Sequence, residues 1–291
     1  MAGRGRDGRP LRVALVGIDG SGKTSVACRL RELAGEDSRL AVLHSLRPHE
    51  TPDGPMHRLS RRLEAFSAVA DELHSPELKL AALYLQLCTY GPIERFFCET
   101  YRPELVVSDR HPLIDTAVYL PLYGRAAAGR IDPPEPPPDL RQRLDAIDPE
   151  AHDAVVAWSD ALARRLGYET DLWGLGVEML AMLSRPPDEM LDDFAYRFRV
   201  ALPEAVVLLE IEVEDALERS SARERSAEQH ETSAFLALVR ERYDQVLGEL
   251  EAGAAPVAVD RVSSGGRPVD EVAEEVARSL RLDLPRTPLV P

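Results

Sequence analysis

Residues 13–25 read Val-Ala-Leu-Val-Gly-Ile-Asp-Gly-Ser-Gly-Lys-Thr-Ser, and no other stretch constrains the chain as tightly. An apolar run, Val13 to Val16, feeds a glycine loop, and the loop opens into a helical pattern from Thr24 to Leu33. The spacing Gly17-x-x-x-x-Gly22-Lys23-Thr24 is that of a P-loop. Gly20 and Gly22 let the backbone turn its N–H groups towards phosphate oxygens, and the helix that follows offers its positive N-terminus to the same anion. Lys23 is expected to reach the β- and γ-phosphates, and the Thr24 hydroxyl to hold Mg²⁺. At average residue usage the pattern arises by chance in roughly 1 in 100 chains of this length.

Composition sharpens this reading. Lys23 and Lys79 are the only lysines, and every other basic residue of the Lys/Arg pair is arginine. A chain that avoids lysine has placed one where a phosphate clamp needs a compact ammonium. The formal net charge of −15 repels phosphate backbones and argues against a nucleic-acid partner, although a nucleotide site carries its own local cations. Cys28, Cys88 and Cys98 fall in no metal or redox spacing, which fits a reduced, cytoplasmic setting. No apolar stretch reaches membrane-spanning length, so no membrane partner is expected. The first ten residues, basic and glycine-rich, lack the apolar segment of a signal peptide and read as a flexible tail.

Further along, Leu40 to Leu43 reads as a second strand, ending in a polar loop from His44 to Glu50. Helical patterns run from Pro55 to Leu73 and from Pro76 to about Tyr101, the latter with an expected break near Gly91-Pro92. Leu105 to Ser108 reads as a buried strand with Asp109-Arg110-His111-Pro112 at its end. Ile131 to Asp139 is rich in proline and reads as an extended linker. Helices follow around 151–166, 172–183 and 188–198. Val206 to Ile211 and Val257 to Val259 read as strands. Helices are expected from Val213, over Phe235 to Leu250, and over Val269 to Leu280. Strands alternating with helices imply an α/β fold, a parallel sheet covered on both faces.

Three segments resemble the thymidylate kinase and deoxynucleoside kinase group of P-loop kinases. They are Gly-Ile-Asp-Gly-Ser-Gly-Lys-Thr (17–24), Val-Val-Ser-Asp-Arg-His-Pro (106–112), and Glu204 to Ile211 running on to Ala216-Leu-Glu-Arg-Ser and an arginine-rich stretch ending at Arg225. Order and spacing match over about residues 11–120 and 201–282, while 121–200 has no recognisable counterpart. The resemblance therefore implies a P-loop kinase domain over 11–282 with a helical insertion at about 121–200, and a C-terminal tail over 283–291.

The resemblance also implies roles. Gly17, Asp19, Gly20, Ser21, Gly22, Lys23, Thr24 and Ser25 would bind ATP, and Thr24 and Asp109 would hold Mg²⁺. Lys23, Asp109, Arg110 and the lid residues Arg223 and Arg225 would act on the transferred group, with Arg219 as a further lid candidate. Asp19, Arg47 and Arg110 would meet the acceptor, with Glu50 and Arg95 as further candidates by their place in the sequence rather than by a match to the family. Asp109 and Arg110 also stand on elementary grounds: they end a strand, the edge where open α/β sheets bind ligands. The segment on the helix before that strand, Leu87-Cys-Thr-Tyr-Gly91, lacks the arginine with which thymidylate kinases hold the acceptor phosphate.

The expected activity is thus phosphoryl transfer from ATP to a small molecule, a nucleoside monophosphate first of all, by a protein that could form a homodimer. A nucleoside monophosphate is already ionised and needs no general base. A hydroxyl acceptor would need one, with Glu50, Asp19 and Asp109 as candidates. An inactive nucleotide-binding paralogue is the third reading. A GTPase-type switch is excluded by the missing Asn-Lys-x-Asp segment, since the chain contains no asparagine.

Overall fold

The computed structural model describes residues 9–35, 39–127, 137–221, 232–253 and 256–281. They divide into two units, one drawn from residues 1–44, 94–111 and 202–291, the other from 45–93 and 112–201.

The first unit holds the sheet. Its strands are β1 (Leu11–Val16), β2 (Leu40–His44), β3 (Leu105–Asp109), β4 (Ala205–Glu210) and β5 (Ala258–Ser263), in the order β2-β3-β1-β4-β5 and all parallel. The central strands are buried nearly end to end, the pattern expected when helices cover both faces. On one face Val13, Leu15, Val107, Val207 and Leu209 form a core with Val26 and Leu30 of α1 (Lys23–Ala34) and Val272 and Val276 of α11 (Val269–Ser279). Ala14, Val16, Val106, Val206 and Leu208 alternate with them and are buried on the opposite face. Burial of each such valine or leucine contributes about 1.5–3 kcal/mol. The sheet also carries α9 (Val213–Ser221) and α10 (Ser233–Ala252) between β4 and β5. The α/β class and the parallel sheet expected from the sequence are present. β5 is twice its expected length, because Asp260 and Arg261 are polar residues on an edge strand.

The second unit is helical. It contains α2 (His57–Glu72), the first part of α3 (Pro76–Thr100), α4 (Pro112–Ala127), α5 (Leu140–Ile147), α6 (Ala151–Leu166), α7 (Leu175–Ala181) and α8 (Pro187–Phe198). The break expected in α3 does not occur, and the helix runs through Pro92. Packing overrides the local preference here. A Cβ on Gly91 would lie 2.1 Å from the Phe198 carbonyl oxygen, so the end of α8 sits directly against the α3 backbone. Tyr84, Phe194 and Phe198 fill the space around that approach. Trp158 of α6 donates from Nε1 to the Leu85 carbonyl at 3.1 Å. The proline-rich residues 131–136 lie outside the described residues, as do most of both terminal tails. No helix among the described residues is long and apolar enough to cross a membrane.

Candidate functional site at the end of β1 and β3

The glycine loop leaves β1 at Val16 and ends where α1 begins at Lys23. Two glycines make its shape possible. Gly22 caps the helix at φ 90°, and Gly20 lies at φ 84° with its missing Cβ directed at the Ala216 carbonyl oxygen, 2.4 Å away. α1 has no side-chain cap and no acidic residue in its first turn. Its leading N–H groups therefore suit an external anion.

Lys23 is buried, with its ammonium folded onto the loop. Nζ donates to the carbonyl of Gly17 at 2.9 Å and of Ile18 at 2.8 Å, with Ser21 Oγ at 3.4 Å and Asp19 Oδ1 at 3.9 Å. Ser21 is buried inside the loop, and Ser25 is exposed on the first turn of α1.

β3 lies beside β1 in a register that sets Leu15 opposite Asp109. That register brings the last residue of β3 to the start of α1. Thr24 Oγ1 donates to Asp109 Oδ2 at 2.6 Å. Burial alone would push the Asp109 carboxyl up. A hydrogen bond from His44, the nearby Lys23 charge and the Thr24 hydroxyl outweigh it and hold the carboxyl below its ordinary range. The pair presents a hydroxyl and an ionised carboxylate, hard oxygen donors of the kind Mg²⁺ takes alongside substrate phosphates.

Arg110 follows with φ 67°, in the left-handed region that an arginine rarely occupies. Its N–H donates to the Leu15 carbonyl at 2.9 Å, and its guanidinium is ion-paired with Asp19 of the loop. Arg219 of α9 stands on another side. Its Nη2 donates to the Ser264 carbonyl at 2.8 Å, and Nη1 lies 3.9 Å from where a Cβ of Gly22 would be.

The structure thus brings Gly17 to Ser25, Asp109, Arg110 and Arg219 together. Arg95 is exposed on α3, and its neighbour Glu94 is ion-paired with Arg12 near the start of β1, away from the loop. Arg47 and Glu50 belong to the helical unit. There Arg47 Nε lies 3.0 Å from Glu64 Oε1, with Glu50 at 3.9 Å from the same guanidinium. Arg223 and Arg225 lie outside the described residues.

One neighbour of the site escaped the sequence reading. His44, the last residue of β2, pairs in register with Asp109, and its Nδ1 lies 3.1 Å from Asp109 Oδ2. Only the position of a histidine at the end of an apolar run pointed to it.

No family model matches the chain, and no curated protein matches it. A solved structure of thymidylate kinase from Candida albicans is similar to 94% of this chain and 92% of its own, at 13% identity and a TM-score of 0.47.

Proposed function

We propose that this protein is an ATP- and Mg²⁺-dependent phosphotransferase whose acceptor is a nucleoside monophosphate. The observation that supports it most is the convergence of Lys23, the Thr24–Asp109 pair and Arg110 on a glycine loop at the carboxyl edge of adjacent parallel strands. Lys23 would turn from the Gly17 and Ile18 carbonyls to the β- and γ-phosphates. The loop and the uncapped start of α1 would cradle the same phosphates with backbone N–H groups. Thr24 and Asp109 would hold Mg²⁺, which when bound neutralises charge on the β- and γ-oxygens. Arg110 would release Asp19 to grip phosphate, an exchange of one anion for another. Arg219, with Arg223 and Arg225 beyond it, would complete the positive surround of the transferred group.

A second reading, a hydroxyl acceptor, is favoured by one observation. Asp19 sets a partly exposed carboxylate on the glycine loop itself, the kind of base that a hydroxyl would need. ADP release from ATP·Mg²⁺ against nucleosides, nucleoside monophosphates and other hydroxylated or phosphorylated metabolites separates the two. Turnover with monophosphates is the expected result. Turnover confined to hydroxyl acceptors would replace the first reading with the second, and no turnover with any acceptor would count against both.

A further inference from the structure

Asp109 is approached by two donors, and only one belongs to the glycine-loop motif. Thr24 Oγ1 donates to Oδ2 from α1, and the His44 ring lies 3.1 Å from the same oxygen through Nδ1. An ionised carboxylate can only accept, so the ring donates at Nδ1. The contact follows from the sheet. β2 and β3 are parallel neighbours whose register sets His44 opposite Asp109, each the last residue of its strand. Both residues are buried, at 3% and 7% exposure, where a carboxylate held by too few donors is costly and badly placed. The phosphoryl transfer outlined above makes no use of His44.

Resting on that reading of the site, we infer that His44 is a positioning residue for the metal. Its Nδ1–H fixes the Asp109 carboxylate so that the remaining lone pairs face Mg²⁺ together with Thr24. Partners behind a metal-ligating carboxylate act in this way, and their removal weakens metal binding by about 10- to 100-fold. The competing account, in which His44 merely fills a polar strand end, makes a different prediction: any polar side chain of similar size should serve.

Two substitutions separate the accounts. The amide nitrogen of asparagine falls near the place of Nδ1, whereas that of glutamine reaches the place of Nε2. His44→Asn therefore keeps the donor to Asp109, and His44→Gln keeps polarity while losing it. Mn²⁺ titrated into the full-length protein with saturating ADP, followed by electron paramagnetic resonance, reads the metal site without turnover. His44→Gln should weaken Mn²⁺ by about tenfold, His44→Asn should stay close to the wild type, and metal-free ADP binding should be unchanged in both. Equal Mn²⁺ affinity in all three proteins overturns the inference alone. A wild type that binds no ADP overturns the proposed function and the inference with it, a separate and recognisable result. Should the variants fail to fold, the ¹⁵N imidazole spectrum of the wild type decides: a proton on Nδ1 of His44 is expected, and a bare Nδ1 overturns the contact.

Discussion

Lys23 and Lys79 are the two lysines of the chain, one in each unit, and they are held differently. Both are buried. Lys79 is ion-paired with Asp71 and donates to Ser67 Oγ at 2.9 Å, which ties α3 to α2. Lys23 instead donates to two carbonyls, with a hydroxyl at 3.4 Å, the Asp19 carboxylate at 3.9 Å and its charge felt by Asp109. A cation locked against a carboxylate is expensive to redirect, because removing the partner strands a buried charge. A cation resting on carbonyls gains when an anion arrives. The rest of the helical unit follows Lys79. Arg62 is paired with Asp148 and Glu150, and Arg197 with Glu178 and Asp193, beneath the Tyr168 ring. Carboxylate pairing there ties helices together, whereas Lys23 at the glycine loop rests on carbonyls, the arrangement on which the proposed phosphate site would draw.

Substitution should break this contrast in order of size. Lys23→Ala should lower phosphoryl transfer by more than about 100-fold with the fold intact, read as ADP release beside a thermal melt. Unchanged turnover would remove the site. Lys79→Ala should do the reverse, costing about 3 kcal/mol of stability in denaturant melts by stranding Asp71, while the Kd for ATP stays near that of the wild type.

Acid should act on Asp109 in the first unit. Asp109 is held below its ordinary range when folded, so it stabilises the fold above the unfolded value of about 4 and loses that contribution as pH falls towards its folded value. Asp109→Asn should therefore flatten the stability curve on its acid side, and an unchanged acid limb would contradict the arrangement.

The smallest effects sharpen the comparison. Trp158→Phe removes the bond to Leu85 and should cost about 1 kcal/mol. Arg47→Ala breaks a partly exposed pair and should change stability by less than about 1 kcal/mol. If the acceptor carries a phosphate that Arg47 contacts, the same variant should raise the acceptor KM, and an unchanged KM would leave Arg47 to Glu64.

The glycine loop and the buried strands were legible because their signal is local. Apolar runs of three to five residues mark β1, β3 and β4, and the motif spacing gives the turn. Other features depend on distant partners. α5 carries only Leu140 and Leu144 as buried residues and follows a run of prolines, so its pattern is too thin to read. α3 continues through Pro92 because α8 packs there, and that contact spans over a hundred residues of sequence. His44 reads as the first residue of a polar loop, and strand register alone sets it against Asp109. The Arg47–Glu64 pair likewise needs α2 folded before it exists. The motif therefore located the glycine loop, whereas the His44–Asp109 contact came from strand pairing that no single segment encodes.

The account rests most directly on whether this loop takes ATP together with Mg²⁺. Calorimetric titration of ATP into the wild type, Lys23→Ala and Asp109→Asn, each with Mg²⁺ and with chelator, tests that claim. The wild type should bind more tightly with Mg²⁺, Lys23→Ala should weaken binding in both conditions, and Asp109→Asn should lose only the gain from Mg²⁺. A wild type that takes up no ATP, or three proteins that bind it alike with and without metal, would contradict the account.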